Sequence, residues 1–79
     1  MKFEKVITAP SEFAEQYEQL RQDIARHFGL ADKAFRIKSG SCLMFVPIDG
    51  NWVRYSRPTL AEMKTRLKSS PIRLEFHAK

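Results

Sequence analysis

The stretch KAFRIKSGSCLMFVPIDGNWVRYSR, residues 33–57, decides the fold. Asp49-Gly50 stands between two apolar runs, and that dipeptide in such a setting is the strongest short-range signal for a β-hairpin. Upstream, Lys33-Ala34-Phe35-Arg36-Ile37-Lys38 alternates as a half-buried strand does, and Cys42-Leu43-Met44-Phe45-Val46-Pro47-Ile48 is apolar on both faces. Ser39-Gly40-Ser41 interrupts the two. A glycine within a strand pattern reads as a bulge, so we expect one kinked strand from Lys33 to Ile48, with a tight turn at Gly40 between two separate strands as the alternative. Trp52-Val53-Arg54-Tyr55-Ser56 is the return strand.

Working outward, Lys2 to Thr8 reads as a first strand ended by Pro10. From Ser11 the apolar residues Phe13, Tyr17, Leu20, Ile24 and Phe28 recur at helical spacing. Acids fill the first half of that helix and Arg21 and Arg26 the second, which suits the helix dipole. Gly29 supplies the left-handed stop, with Leu30 placed to pack back on the last turn. Beyond the hairpin, Thr59 and Glu62 sit at capping-box spacing before a second helix, with Leu60, Met63 and Leu67 inward. Ser69-Ser70-Pro71 ends it. Ile72, Leu74 and Phe76 then alternate with Arg73, Glu75 and His77 in a last strand.

The element order is strand, helix, strand, strand, helix, strand in a single domain covering residues 1–79. We expect an α+β two-layer sandwich, an antiparallel sheet with two helices on one face, βαββαβ and ferredoxin-like. If Gly40 is a true turn, the middle becomes the αβββα core of double-stranded-RNA-binding domains with extra terminal strands.

Strand parity divides the hairpin. A turn centred on Asp49-Gly50 sets Pro47 opposite Trp52, Phe45 opposite Arg54 and Leu43 opposite Ser56 on one side, leaving Met44, Val46, Val53 and Tyr55 on the other. The second set suits a core beneath the helices. The first set, with Arg73 and His77 as neighbours, then occupies the open face. Guanidinium groups among aromatic rings can stack on bases and bind phosphates, as single-strand binders do. The same residues suit even better a second small core, a homodimer interface or a protein partner's footprint, and the alternative function is then a protein-binding inhibitor or adaptor, of the kind phages and mobile elements carry, acting on a nucleic-acid-binding protein.

Charge points to the same region. The chain carries +5 overall, but residues 1–32 hold four Lys/Arg against six Asp/Glu, a net −2, and residues 33–79 hold ten against three, a net +7. Such asymmetry argues for an acidic partner, either nucleic acid or an acidic protein surface. The candidate binding residues are Arg36, Lys38, Leu43, Phe45, Trp52, Arg54, Arg57 and Arg73. A second basic cluster, Lys64, Arg66 and Lys68, reads first as a solvated helix face.

A core of this size supplies only about 3–5 kcal/mol, and the single Cys42 cannot close an internal disulfide, so pairing of two copies is one remedy. One cysteine, no apolar run of membrane-spanning length and no cleavable leader suggest a cytoplasmic protein with no membrane role. Two His and one Cys, scattered, make no zinc site, and neither paired carboxylates, a phosphate-cradling loop nor a nucleophile elbow appears, so we expect no metal, no cofactor and no catalysis.

Gly40-Ser41-Cys42-Leu43-Met44-Phe45 resembles the Gly-Ser-His-x-x-Phe stretch of the HicA-type messenger-RNA interferases. That resemblance spans six positions and implies the double-stranded-RNA-binding fold and RNA cleavage. Cys42 stands where the family has its catalytic histidine, and the segment from there to Thr59-Leu60 is shorter than the family's, which puts the activity in doubt. The RNA recognition motif shares the ferredoxin-like fold, but Asn51-Trp52-Val53-Arg54-Tyr55 lacks its Gly-aromatic-Gly/Ala-aromatic pattern.

Overall fold

The computed structural model describes residues 1–30, 35–38 and 40–78. Its elements are β1 (Lys2–Ile7), a 3-10 turn (Pro10–Glu12), α1 (Phe13–His27), β2 (Leu43–Ile48), β3 (Asn51–Ser56), α2 (Leu60–Leu67) and β4 (Ile72–His77). The strands form one sheet in the order β1-β4-β2-β3, with every neighbouring pair antiparallel. Two helices cover one face, giving the α+β two-layer sandwich that the element order implies. Each strand-helix-strand half is split by a strand of the other. β4 lies between β1 and β2, and β2 lies between β4 and β3.

Local chemistry explains most boundaries. Gly29, at φ 67°, ends α1 in a Schellman motif: its N–H donates to the Arg26 carbonyl, and the Leu30 N–H donates to that of Ala25. At α2 the Thr59 hydroxyl accepts from the Glu62 N–H, and the Glu62 carboxylate accepts from the Thr59 N–H. That reciprocal box satisfies two donors the first turn would otherwise leave open. Asp49 and Gly50 both have positive φ, 51° and 79°, the signature of a type I′ hairpin turn.

One side of the sheet is the core. Ile7, Met44, Val46, Ile72 and Leu74 pack with Phe13, Leu20 and Ile24 of α1 and Met63 and Leu67 of α2, and Cys42 joins them just before β2. The cross-strand rows follow the alternation, with Ile7 opposite Ile72 and Met44 opposite Leu74.

Several expectations are corrected. Residues 35–38 form no strand, and the continuous strand expected from Lys33 begins only at Leu43; its first members, Lys33 and Ala34, lie outside the described residues, as does Ser39. Gly40, at φ 80°, belongs to a turn in which the Ser41 N–H donates to the Lys38 carbonyl at 3.0 Å, so it is not a bulge. Only two strands lie between the helices among the described residues, where the double-stranded-RNA-binding arrangement has three. The bulge falls elsewhere: pairing steps from Phe45 opposite Arg54 to Met44 opposite Ser56, and Tyr55 is the extra residue. Phe28 and Leu30 at the end of α1, and Leu60, expected inward on α2, stay about half exposed. Val53 and Tyr55, expected in the core, are 41% and 54% exposed. They share the helix-side face, but the tightest packing of the helices is over β1 and β4, so β3 is covered only sparsely.

Candidate binding surface

The open face can be read row by row across the sheet. Register sets Val6, Arg73, Phe45 and Arg54 side by side, with Glu4, Glu75 and Leu43 in the next row. Pro47 and Trp52 pair beyond Arg54. This is the grouping parity implies for Phe45, Trp52 and Arg54, with Arg73 as their neighbour.

Arg73 is not free. Its guanidinium carbon lies 4.4 Å from the Phe45 ring centroid and 5.5 Å from that of Trp52, and Nη2 meets the Glu75 carboxylate at 2.8 Å. Glu75 is only 5% exposed, and its other oxygen contacts His77 Nε2 at 2.9 Å. A carboxylate so buried requires a partner, since stranding it would cost far more than an exposed ion pair returns. Arg73 therefore braces the middle of the sheet and caps two rings that would otherwise offer stacking surfaces. Leu43 is half-buried beside Glu75, and Phe45 half-buried under Arg73.

Arg54 is different. It flanks Phe45 on the other side, on β3, exposed and in no ion pair among the described residues. The same is true of Arg36, Lys38, Arg57, Lys64 and Lys68, and Arg66 likewise has no carboxylate. The Gly40 turn, closed by the Ser41 N–H on the Lys38 carbonyl, lies beside the backbone of Arg57, where a Cβ on Gly40 would stand 3.9 Å from the Arg57 carbonyl oxygen. In the first half every cation is matched: Lys2 with Glu4, Lys5 and Arg26 with Asp23, Arg21 with Glu18. The Arg21 bond also holds the Glu18 carboxyl below the usual carboxylate range. Exposed pairs add at most about 1 kcal/mol each, so their main effect is to neutralise that half.

One feature escapes sequence parity. On the helix side, Tyr55, Ala61, Glu62, Thr65, Arg66 and Ser69 line a groove of about 310 Å³ between β3 and α2. The Arg66 guanidinium carbon lies 5.2 Å from the Tyr55 ring centroid, while its Nε is buried without a hydrogen-bond partner. Tyr55, the bulge residue of β3, and Arg66 of α2 stand on its two sides.

Cys42 is 1% exposed, and burial pushes its thiol up to about 11. It is neutral and sealed at physiological pH. His27, exposed, packs edge-on against Phe3 at 5.4 Å and Phe28 at 4.9 Å. Among the described residues no His, Cys, Asp and Glu gather into a metal-binding group, and no helix is long and apolar enough to cross a membrane. No protein-family model, no curated protein and no solved structure matches the chain.

Proposed function

We propose that this is a non-catalytic binding protein of the cytoplasm that engages an acidic partner through the β2–β3 hairpin and the cations around it. The observation that carries the reading is the segregation of charge. The first half's cations are consumed by its own acids, whereas Arg36, Lys38, Arg54, Arg57, Lys64, Arg66 and Lys68 face no carboxylate among the described residues. Unneutralised charge of one sign steers and holds an oppositely charged partner. Exposed Trp52 and Tyr55 supply apolar contact within that field. The buried, neutral Cys42 gives the interferase reading no accessible group at the position of the family's histidine.

The test is fluorescence anisotropy with two labelled polyanions, an oligothymidylate and a polyglutamate of equal charge, at about 50 and about 200 mM salt. At least one should bind at the lower salt and weaken steeply at the higher. Arg54→Glu should reduce that binding by about tenfold or more, while Arg26→Glu, in the neutralised half, should leave it nearly unchanged. Absence of binding by both probes, or equal effects of the two variants, would overturn the reading.

A further inference from the structure

We propose that β3 is a docking edge for an extended acidic segment of a partner protein, which adds to the sheet as a fifth strand beside Asn51–Ser56. The inference rests on the acidic-partner reading and names the partner's form.

The backbone supplies the first argument. β3 is the last strand of the sheet and has no neighbour on its outer side among the described residues. In a ladder closed by the Asp49-Gly50 turn, hydrogen-bonded pairs alternate, so Asn51 and Val53 turn their peptide groups toward β2, and Trp52 and Arg54 turn theirs outward. An outward row of N–H and C=O groups is a template for another strand. A nucleic acid has no alternating donors and acceptors with which to complete that ladder.

The side chains supply the second. Trp52 on the open face and Val53 and Tyr55 on the helix face are all exposed, so an added strand would find an apolar neighbour on each side of itself. The Tyr55–Arg66 groove adjoins the same edge and can take one side chain from the helix side. The bulge at Tyr55 limits regular pairing to the stretch before it. The opposite edge, β1, lacks these features: Lys2, Glu4 and Lys5 are engaged in ion pairs, and α1 packs over its inner side.

Charge selects the occupant. Residues 51–56 contain no acid, and Arg54, Arg57 and Arg66 surround the edge, while Glu62 is held in the α2 capping box. A second copy of the chain would bring β3 against β3 and set Arg54 of one molecule near Arg54 of the other with no carboxylate on either strand. An acidic strand instead meets Arg54 on one face and Arg66 on the other.

The experiment is selection of the whole chain against a random dodecapeptide display library, followed by amide NMR mapping of the strongest binder. Acidic sequences alternating with apolar residues should be enriched, and the shifts should centre on residues 51–56. N-methylation of alternate peptide nitrogens, which keeps charge but removes ladder donors, should weaken binding about tenfold or more, the worth of roughly one hydrogen bond. An N-methylated peptide that binds as tightly, shifts centred elsewhere, or no acidic enrichment would overturn the edge assignment. If an oligothymidylate binds while no acidic peptide does, the edge assignment falls and the acidic-partner reading stands. If neither binds at low salt, both fall.

Discussion

β4 and β3 are built from similar materials and end as opposites. Each places an arginine among aromatic rings on the same open face, Arg73 on β4 and Arg54 on β3, both beside Phe45 in one cross-strand row. β4 has a neighbour on each side and the core over its inner face, so Ile72 and Leu74 are fully buried, while on its open face Arg73 is stacked and ion-paired. β3 has one neighbour among the described residues and lies at the margin of the helix layer, where Tyr55 meets Arg66 of α2, so Trp52, Val53, Arg54 and Tyr55 all meet solvent. Position in the sheet, not residue type, decides whether an arginine is structural or available.

The largest expected difference between the strands is in apolar truncation. Leu74→Ala removes a fully buried side chain opposite Met44 and should cost about 2–5 kcal/mol, enough to unfold much of a domain this small. Val53→Ala, at a half-open site, should cost less than about 1 kcal/mol. Urea denaturation followed by circular dichroism reads both. Equal losses would mean that β3 is covered in solution, as pairing of two copies would cover it.

The two arginines sharpen the contrast at a smaller scale. Arg73→Ala should destabilise by about 2 kcal/mol, because Glu75 keeps its burial and loses its closest cation. Arg54→Ala should fall within about 0.5 kcal/mol of the parent. Adding Glu75→Gln to Arg73→Ala should recover part of the loss, since no buried charge is then stranded, and a double-mutant cycle isolates that coupling. Additivity of the two changes would contradict the bracing role.

What could be read from the residues follows the same division. Short-range signals were legible: the Asp49-Gly50 turn, the Thr59–Glu62 box, the Gly29 stop and the alternation of residues 72–77 depend on neighbours within a few positions. The cross-strand partners Pro47–Trp52, Phe45–Arg54 and Val46–Val53 follow from that turn. Strand order was not legible, because it is set by pairings such as Lys2 with His77 at opposite ends of the chain. Hence Arg73 reads like Arg54 in sequence although only one is free. The strand expected at residues 35–38 fails for a related reason. Phe35 and Ile37 have the alternation of a strand and do pack on the core, but the carbonyl of Phe35 accepts from Arg21 Nη1 of α1, not from a sheet neighbour.

The smallest expected effect is a pH response confined to the covered side. Burial raises Cys42 from 9.0 to about 11, and burial, with a lesser contribution from the nearby Cys42, raises Tyr17 from 10.0 to about 12. Below pH 9 both groups keep their protons folded or unfolded, and stability does not respond to them. Between pH 9 and 11 the unfolded chain releases the Cys42 proton while the folded chain retains it, so the unfolded state gains and stability falls; Tyr17 extends the fall from pH 10 toward 12. Cys42→Ala should lower stability at neutral pH by emptying a core position, yet flatten the decline that begins near pH 9, and Tyr17→Phe should flatten its upper part. Urea midpoints measured from pH 7 to 11 test this. A decline unchanged in Cys42→Ala would mean the thiol ionises as readily in the folded protein as in the unfolded chain, contradicting its burial in the core just before β2, on the covered side that β3 lacks.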